Sequence, residues 1–258
     1  MIETAFEDIG ARVKIEETKK DLVVNVLRDK KGEYFSIRVP DRDIKIQVVS
    51  KEEDLRHLLL HIQDGKNKSK ILCGHDERQW FCSEVRREGV STVRDAMEAL
   101  KPTVVKEKQK NVRVKDRNKR KNEVMMRQGE WFFVPEPGVE FEESVILKNE
   151  PIRRSMRNKA HVLEECVRVG GQSVYVSSHT GSRVFTEAEY RRELKNNPDA
   201  KNYNWRPMKR NAMVYARGSV RHKDHRTIEL QGWHRVEINL EIAENWRGRR
   251  SGVIGFLD

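Results

Sequence analysis

Short β-branched runs separated by turn residues recur along most of this chain, and they leave room for few helices. "KKDLVVNVLRD" and "KKGEYFSIRVP" flank "DKKG", with Val23, Val24, Val26 and Leu27 as strand formers and Gly32 in the turn. "DIKIQVVS" alternates Ile44, Ile46 and Val48, which predicts a third strand. "KILCG" and "QWFCSEV" predict a hairpin around "GHDER". That turn reads as a polar tip, or alternatively as a ligand cluster of His75, Asp76 and Glu77.

The stretch "SKEEDLRHLLLHIQDG" admits two readings. As a helix it has a capping box at Ser50 and Glu53, with His57 and His61 at a metal-ligand spacing. As a strand from about Arg56 to Ile62 it makes a hairpin with "KILCG", and this reading is preferred. Two segments read clearly as helices. "STVRDAMEALKP" is capped by Ser91 or Thr92 and stopped by Pro102, and "TEAEYRRELKNNP" carries the capping box Thr186–Glu189. In the second half, "GEWFFVPEPG", "SVILKNEPIRR", "AHVLEECVRVGGQSVYVSS", "AMVYARGSVRH", "RTIELQGWHRVEINLE" and "GVIGFLD" supply further strands.

Apolar and charged residues each make up 36% of the 258 residues, too polar a balance for one large compact enzyme core. The expected fold is therefore α+β and strand-rich. It comprises two small antiparallel-sheet domains, each with one or two helices, joined by a basic segment. The boundaries expected are 1–102 for an N-terminal β-meander closed by a helix, 103–127 for the basic linker or helix, and 128–258 for a strand-rich C-terminal domain bearing a histidine cluster.

The net charge of +11 is concentrated. Residues 101–127 hold eleven Lys or Arg against three Asp or Glu. Such clustering suits contact with a polyanion, and the alternative is a solvated linker. "VKDRNKRKNEVMMRQ" lacks Gly and Pro and reads as a cationic helix with an apolar end. Three cysteines, with no C-x-x-C pair, describe neither a disulfide framework nor a zinc ribbon. No signal peptide and no run of eighteen apolar residues is present, so the expected location is the cytoplasm, without a membrane partner.

Chemistry, if any, centres on "GSVRHKDHRTIELQGWHRV". His222 and His225 bracket a turn, His234 follows on the next strand, and His161 begins a strand that could approach them, with Glu164 or Glu165 beside it. Three histidines and a carboxylate make a catalytic-metal recipe, for which zinc is the candidate ion. A metal-free alternative uses His222 or His225 as general base and the other as acid. The structural alternative is that these are polar turn residues in a basic surface, because H-x-x-H alone is a weak signal. No P-loop, dinucleotide fingerprint or nucleophile elbow occurs.

Around this region Tyr203, Trp205 and Tyr215 interleave with Arg206, Lys209, Arg210, Arg217 and Arg221. Aromatics stack on unpaired bases and Arg binds phosphate. Alternatively the aromatics are core and the charges simply face outward. Candidate nucleic-acid contacts are Lys115, Arg117, Lys119, Arg120, Lys121, Arg153, Arg154, Arg157, Trp205, Arg206, Lys209, Arg210 and Arg221, with Arg247, Arg249 and Arg250 in a further cationic loop.

At "CGHDERQWF", "DRNKRKNEVMMRQGEWFFVP" and "VRHKDHRTIELQGWHRV" the chain resembles a group of bacterial and mobile-element proteins without an established activity. The resemblance implies no activity, cofactor or residue role, and it modestly favours a site shared by the histidines. The expectation is a nucleic-acid-binding protein for RNA or single-stranded DNA, such as a subunit of a ribonucleoprotein or mobile-element assembly. The alternatives are a metal-dependent phosphodiesterase, nuclease or other hydrolase using the histidines, and an adaptor offering a sheet edge to a protein partner.

Overall fold

The computed structural model describes residues 1–153, 159–181 and 183–240. The fold is strand-rich α+β, built from several small and mostly antiparallel sheets. The chain divides into two compact units. The first is Met1–Val134 together with residues 237–240, and the second runs from Pro135 to Val236. Among the described residues, no helix is long and apolar enough to cross a membrane.

The first unit opens with helix α1 (Ile2–Asp8), followed by strands β1 (Val13–Thr18), β2 (Val23–Asp29) and β3 (Gly32–Pro40). β2 and β3 form the expected hairpin, and β1 adds to β3 in parallel. Next come β4 (Ile44–Glu52), β5 (His57–Asp64), β6 (Asn67–Asp76) and β7 (Gln79–Glu84), an antiparallel meander in chain order.

β5 settles the ambiguity in "RHLLLHI". Leu58, Leu60 and Ile62 pack with Phe6, Phe35 and Ile37 in one core. Leu59 faces the other way, with Leu72, Val93 and Ala96, beneath helix α2 (Val93–Leu100). A strand covered on both faces needs apolar residues at every position, so its alternation is blurred. His57 and His61 therefore stand roughly 13 Å apart along a strand, and the metal-ligand spacing of the helical reading does not arise.

Thr92 caps α2, and its hydroxyl is reciprocated by the Asp95 carboxylate. Cys73 faces Cys82 across the β6–β7 pair, and neither these two nor Cys166 forms a disulfide among the described residues.

Residues 103–127 are not a continuous cationic helix. They fold within the first unit as a short helix α3 (Thr103–Lys108), 3-10 turns at Gln109–Asn111 and Val114–Asp116, and strands β8 (Lys121–Asn122) and β9 (Met125–Gln128). Lys101 organises them. Its ammonium is buried, and it donates to Gln109 Oε1 at 2.9 Å, to the Arg117 carbonyl at 2.8 Å and to Glu98. Arg117 in turn donates to the carbonyls of Val112 and Lys110, both at 2.9 Å. A helix is displaced here because these cations bond backbone carbonyls that a helix would keep for itself.

β10 (Trp131–Pro135) pairs with β9 and ends the first pass of this unit. The chain returns to the same unit much later: the Asn239 amide donates to the Glu130 carbonyl at 2.9 Å, and the Leu240 amide to the Leu100 carbonyl at 2.8 Å.

The second unit has strands β11 (Leu147–Ile152), β12 (His161–Val169), β13 (Gln172–Val176) and β14 (Val184–Thr186), helix α4 (Glu187–Asn196), and strands β15 (Arg206–Arg210), β16 (Met213–Arg221) and β17 (Ile228–Ile238). β11, β12, β16 and β17 lie side by side in that order, and β14, β13 and β15 form a second sheet. The expected Thr186–Glu189 capping box is present on α4. Gly170 and Gly171 turn the chain from β12 to β13 with positive φ, and a Cβ on Gly171 would lie 3.0 Å from Ala212 of the neighbouring β15–β16 turn. Two close-packed turns thus carry paired strands from one sheet to the next. The C-terminal strand expected at "GVIGFLD" lies outside the described residues.

Candidate functional site: a histidine trio and the placement of the cations

The register of β12 and β16 brings His161 to His222. Val162 opposes Arg221, so the next step outward in an antiparallel pair sets His161 against His222. The chain then turns before β17, and His225 lies in that turn. The ring centroids of His161 and His222 are 4.1 Å apart at 18° between planes, and His225 is 4.6 Å from His222 and 5.5 Å from His161. One nitrogen from each ring lies within 4.8 Å of the other two. His161 is only 1% exposed, held between β11 and β16, while His222 and His225 are half-buried.

Two interactions fix the turn. The Asp224 backbone N–H donates to His222 Nδ1 at 3.1 Å, and the Asp224 carboxylate pairs with Lys159 at 2.5 Å. Arg221 is the last residue of β16, and by strand alternation from His222 just beyond it points to the opposite face, where it donates to Asn149 Oδ1 at 2.5 Å.

His234 is not part of the trio. It opposes Ala216, six positions along β16 from His222, roughly 20 Å away along the strand. It is buried, its Nδ1 hydrogen-bonds the Gly232 carbonyl at 2.9 Å, and burial lowers its pKa from the ordinary histidine value.

The carboxylates expected near His161 are engaged elsewhere. Glu164 sits in a bulge opposite Gly218 and Ser219, and its Oε2 accepts the Ser219 amide at 2.7 Å. That bond, more than any charge, holds its carboxyl below the usual range. A Cβ on Gly218 would fall 2.6 Å from Glu164 Oε2, and the position also has φ +80°. Glu165 accepts from Arg217 at 2.5 Å.

The nucleic-acid candidates sort into three groups. Some are consumed by the fold. Arg117 staples its own turn, as described above. Arg120 is gripped by Asp76 and Glu77, and neighbouring Arg127 also reaches Asp76. The "GHDER" turn is thus a carboxylate clamp, a role invisible until the basic segment folds against it. Trp205 donates its indole N–H to the Ala200 carbonyl at 2.8 Å and lies edge-on to Phe185 and Tyr190, so it is half-buried and partly used in packing.

A second group is exposed. Lys115 and Lys121 face solvent, as do Lys110 and Arg113 beside them, and none of the four side chains has an ion pair among the described residues. Lys119 is exposed and pairs with Asp116 at 2.6 Å. Arg113, Lys115 and Lys119 all act on the Asp116 carboxyl and lower its pKa, with the Lys119 hydrogen bond foremost, so they crowd one acidic group. Val114 is 69% exposed among them. Arg153, Arg206 and Lys209 are exposed on the second unit, with Lys209 bound to Ser173 and half-buried Arg210 to Gln172. β15 is an edge strand, where charges also discourage pairing with another chain.

The third group, Arg154, Arg157, Arg247, Arg249 and Arg250, lies outside the described residues. Against known proteins, the sequence matches no family model, and neither the curated proteins nor the solved structures give a match.

Proposed function

We propose that the protein binds single-stranded nucleic acid, RNA or DNA, chiefly through the phosphate backbone. The observation that carries this reading is the sorting of charge within 101–127. Lys101, Arg117, Arg120 and Arg127 are spent inside the fold, and they hold Lys110, Arg113, Lys115 and Lys121 outward on an ordered surface. A cation already paired with a carboxylate adds little to polyanion binding. Exposed unpaired ones on an ordered backbone release counterions when a phosphate arrives. Half-buried Trp205, engaged through its indole N–H, offers little stacking area, and contacts to the phosphate backbone carry little sequence preference.

Fluorescence anisotropy with labelled RNA and DNA single strands, titrated across salt, tests this. Four phosphate contacts give a slope of roughly −3 in log affinity against log salt. Affinity that ignores salt ends the reading.

A second reading, a metal-dependent hydrolase, is favoured by the convergence of His161, His222 and His225 alone. Metal-stimulated cleavage of a phosphodiester by the wild-type protein, lost in His225→Ala, would support it.

A further inference from the structure

We infer that His161, His222 and His225 form a binding site for one divalent transition-metal ion, zinc(II) being the ion to test, with the fourth coordination position left to solvent. The argument rests on the juxtaposition of three imidazoles from two strand ends and a turn, and is independent of nucleic-acid binding.

Imidazole is the nitrogen donor that such ions prefer, and three of them with an open position is a recurrent zinc geometry. With bonds of 2.0–2.1 Å, tetrahedral ligand nitrogens stand about 3.4 Å apart. The nitrogens here lie within 4.8 Å, so they must close by up to about 1.4 Å, and the His222 ring stacked on His161 must turn so that their in-plane lone pairs converge. The two histidines that must move are the half-buried ones at the turn, whereas His161 is fixed between two strands and provides a rigid first ligand. Of the cations near the trio, Lys223 and Arg226 are exposed to solvent, where their charge is screened. Lys159 is neutralised by Asp224, and Arg221 is engaged by Asn149 on the opposite face.

The Asp224 amide gives the inference a signature of its own. His222 Nδ1 now accepts that amide, which leaves the proton of the neutral ring on Nε2. A ring that ligates through Nε2 must carry its proton on Nδ1, and a ring that ligates through Nδ1 has no lone pair left. Either way metal capture breaks the Asp224 N–H···Nδ1 bond.

The test is titration of the full chain with zinc(II) alone, by calorimetry and by amide NMR, followed by cobalt(II) absorption. The expected result is one equivalent bound at micromolar affinity or tighter, an intense tetrahedral cobalt spectrum, and a displaced Asp224 amide. Affinity should fall at least about tenfold in His222→Ala and in His225→Gln, and stay unchanged in His234→Ala. Both turn variants leave buried His161 in place, and circular dichroism confirms their fold. Absence of binding by the wild-type chain, or binding that survives both turn substitutions, overturns the inference.

Discussion

Arg127 Nη2 meets Asp76 Oδ2 at 2.9 Å across 51 residues of sequence, and Asp76 simultaneously holds Arg120. One carboxylate at a hairpin tip therefore anchors two cations of the basic segment. Asp76→Asn keeps the shape and removes the charge, leaving two partly buried guanidinium groups undercompensated. Its expected cost is about 2 kcal/mol, read as a lower urea midpoint with unchanged slope. Glu77→Gln, which weakens the hold on Arg120 and leaves Asp76 charged, should cost less.

Lys101→Met should be more damaging. The methionine fills the volume but abandons Gln109 Oε1 and weakens the satisfaction of the Arg117 carbonyl. A loss of about 3 kcal/mol is expected in equilibrium denaturation. An unchanged or raised stability would show that burial of the ammonium costs more than its hydrogen bonds return.

Gly218→Ala combines a left-handed backbone with a collision against Glu164. The expected destabilisation is about 2 kcal/mol. Adding Glu164→Ala should recover the steric part and leave the backbone part, so the double variant should fall between wild type and the single variant in thermal unfolding.

Stability should rise with pH through the window just below the ordinary histidine pKa. Burial lowers the pKa values of His57, His75 and His234, and a neighbouring Arg56 charge adds to the effect on His75. The unfolded chain then binds more protons than the folded one between each lowered pKa and about 6.5. Their contribution is complete above that value and is lost as pH falls through the folded pKa values. His57 is the best probe, since its ring N–H donates to the Leu55 carbonyl at 2.5 Å and a glutamine can keep that donor. His57→Gln should flatten the slope of denaturation midpoint against pH between mildly acidic and neutral buffer.

For nucleic-acid binding, Lys115→Ala and Lys121→Ala should each shallow the salt slope by roughly 0.7, uniformly across single-stranded sequences. Arg120→Ala should act through stability instead, because its charge is already held by Asp76 and Glu77. A binding loss in Arg120→Ala with unaltered unfolding would reassign that residue to the interface.

Strands whose two faces differ were legible in the sequence, as in β4 with its Ile44, Ile46, Val48 alternation. β5 was harder because two cores cover it. The parallel addition of β1 to β3 was hidden, since pairing between distant strands leaves no local mark. The 103–127 segment misled because helix propensity is a weak prior against buried hydrogen bonding, and neither Lys101 nor Asp76 shows its partners in one dimension. The histidine pattern was visible, but which three of four would meet depended on strand register. His161 meets His222 because Val162 opposes Arg221, and His234 is excluded because it opposes Ala216.

The late hydrogen bonds from Asn239 and Leu240 to Glu130 and Leu100 have a temporal meaning. A ribosome making this protein releases Pro135–Val236 of the second unit before the first has its final segment. Pro135–Val236 is made as one continuous stretch, while the outer unit must wait, incomplete, for residues synthesised about a hundred positions later. Cutting the chain after Val134 would therefore not yield the first unit but a version of it lacking its closing strap, and a faithful excision would instead remove the inner unit and splice the two flanks.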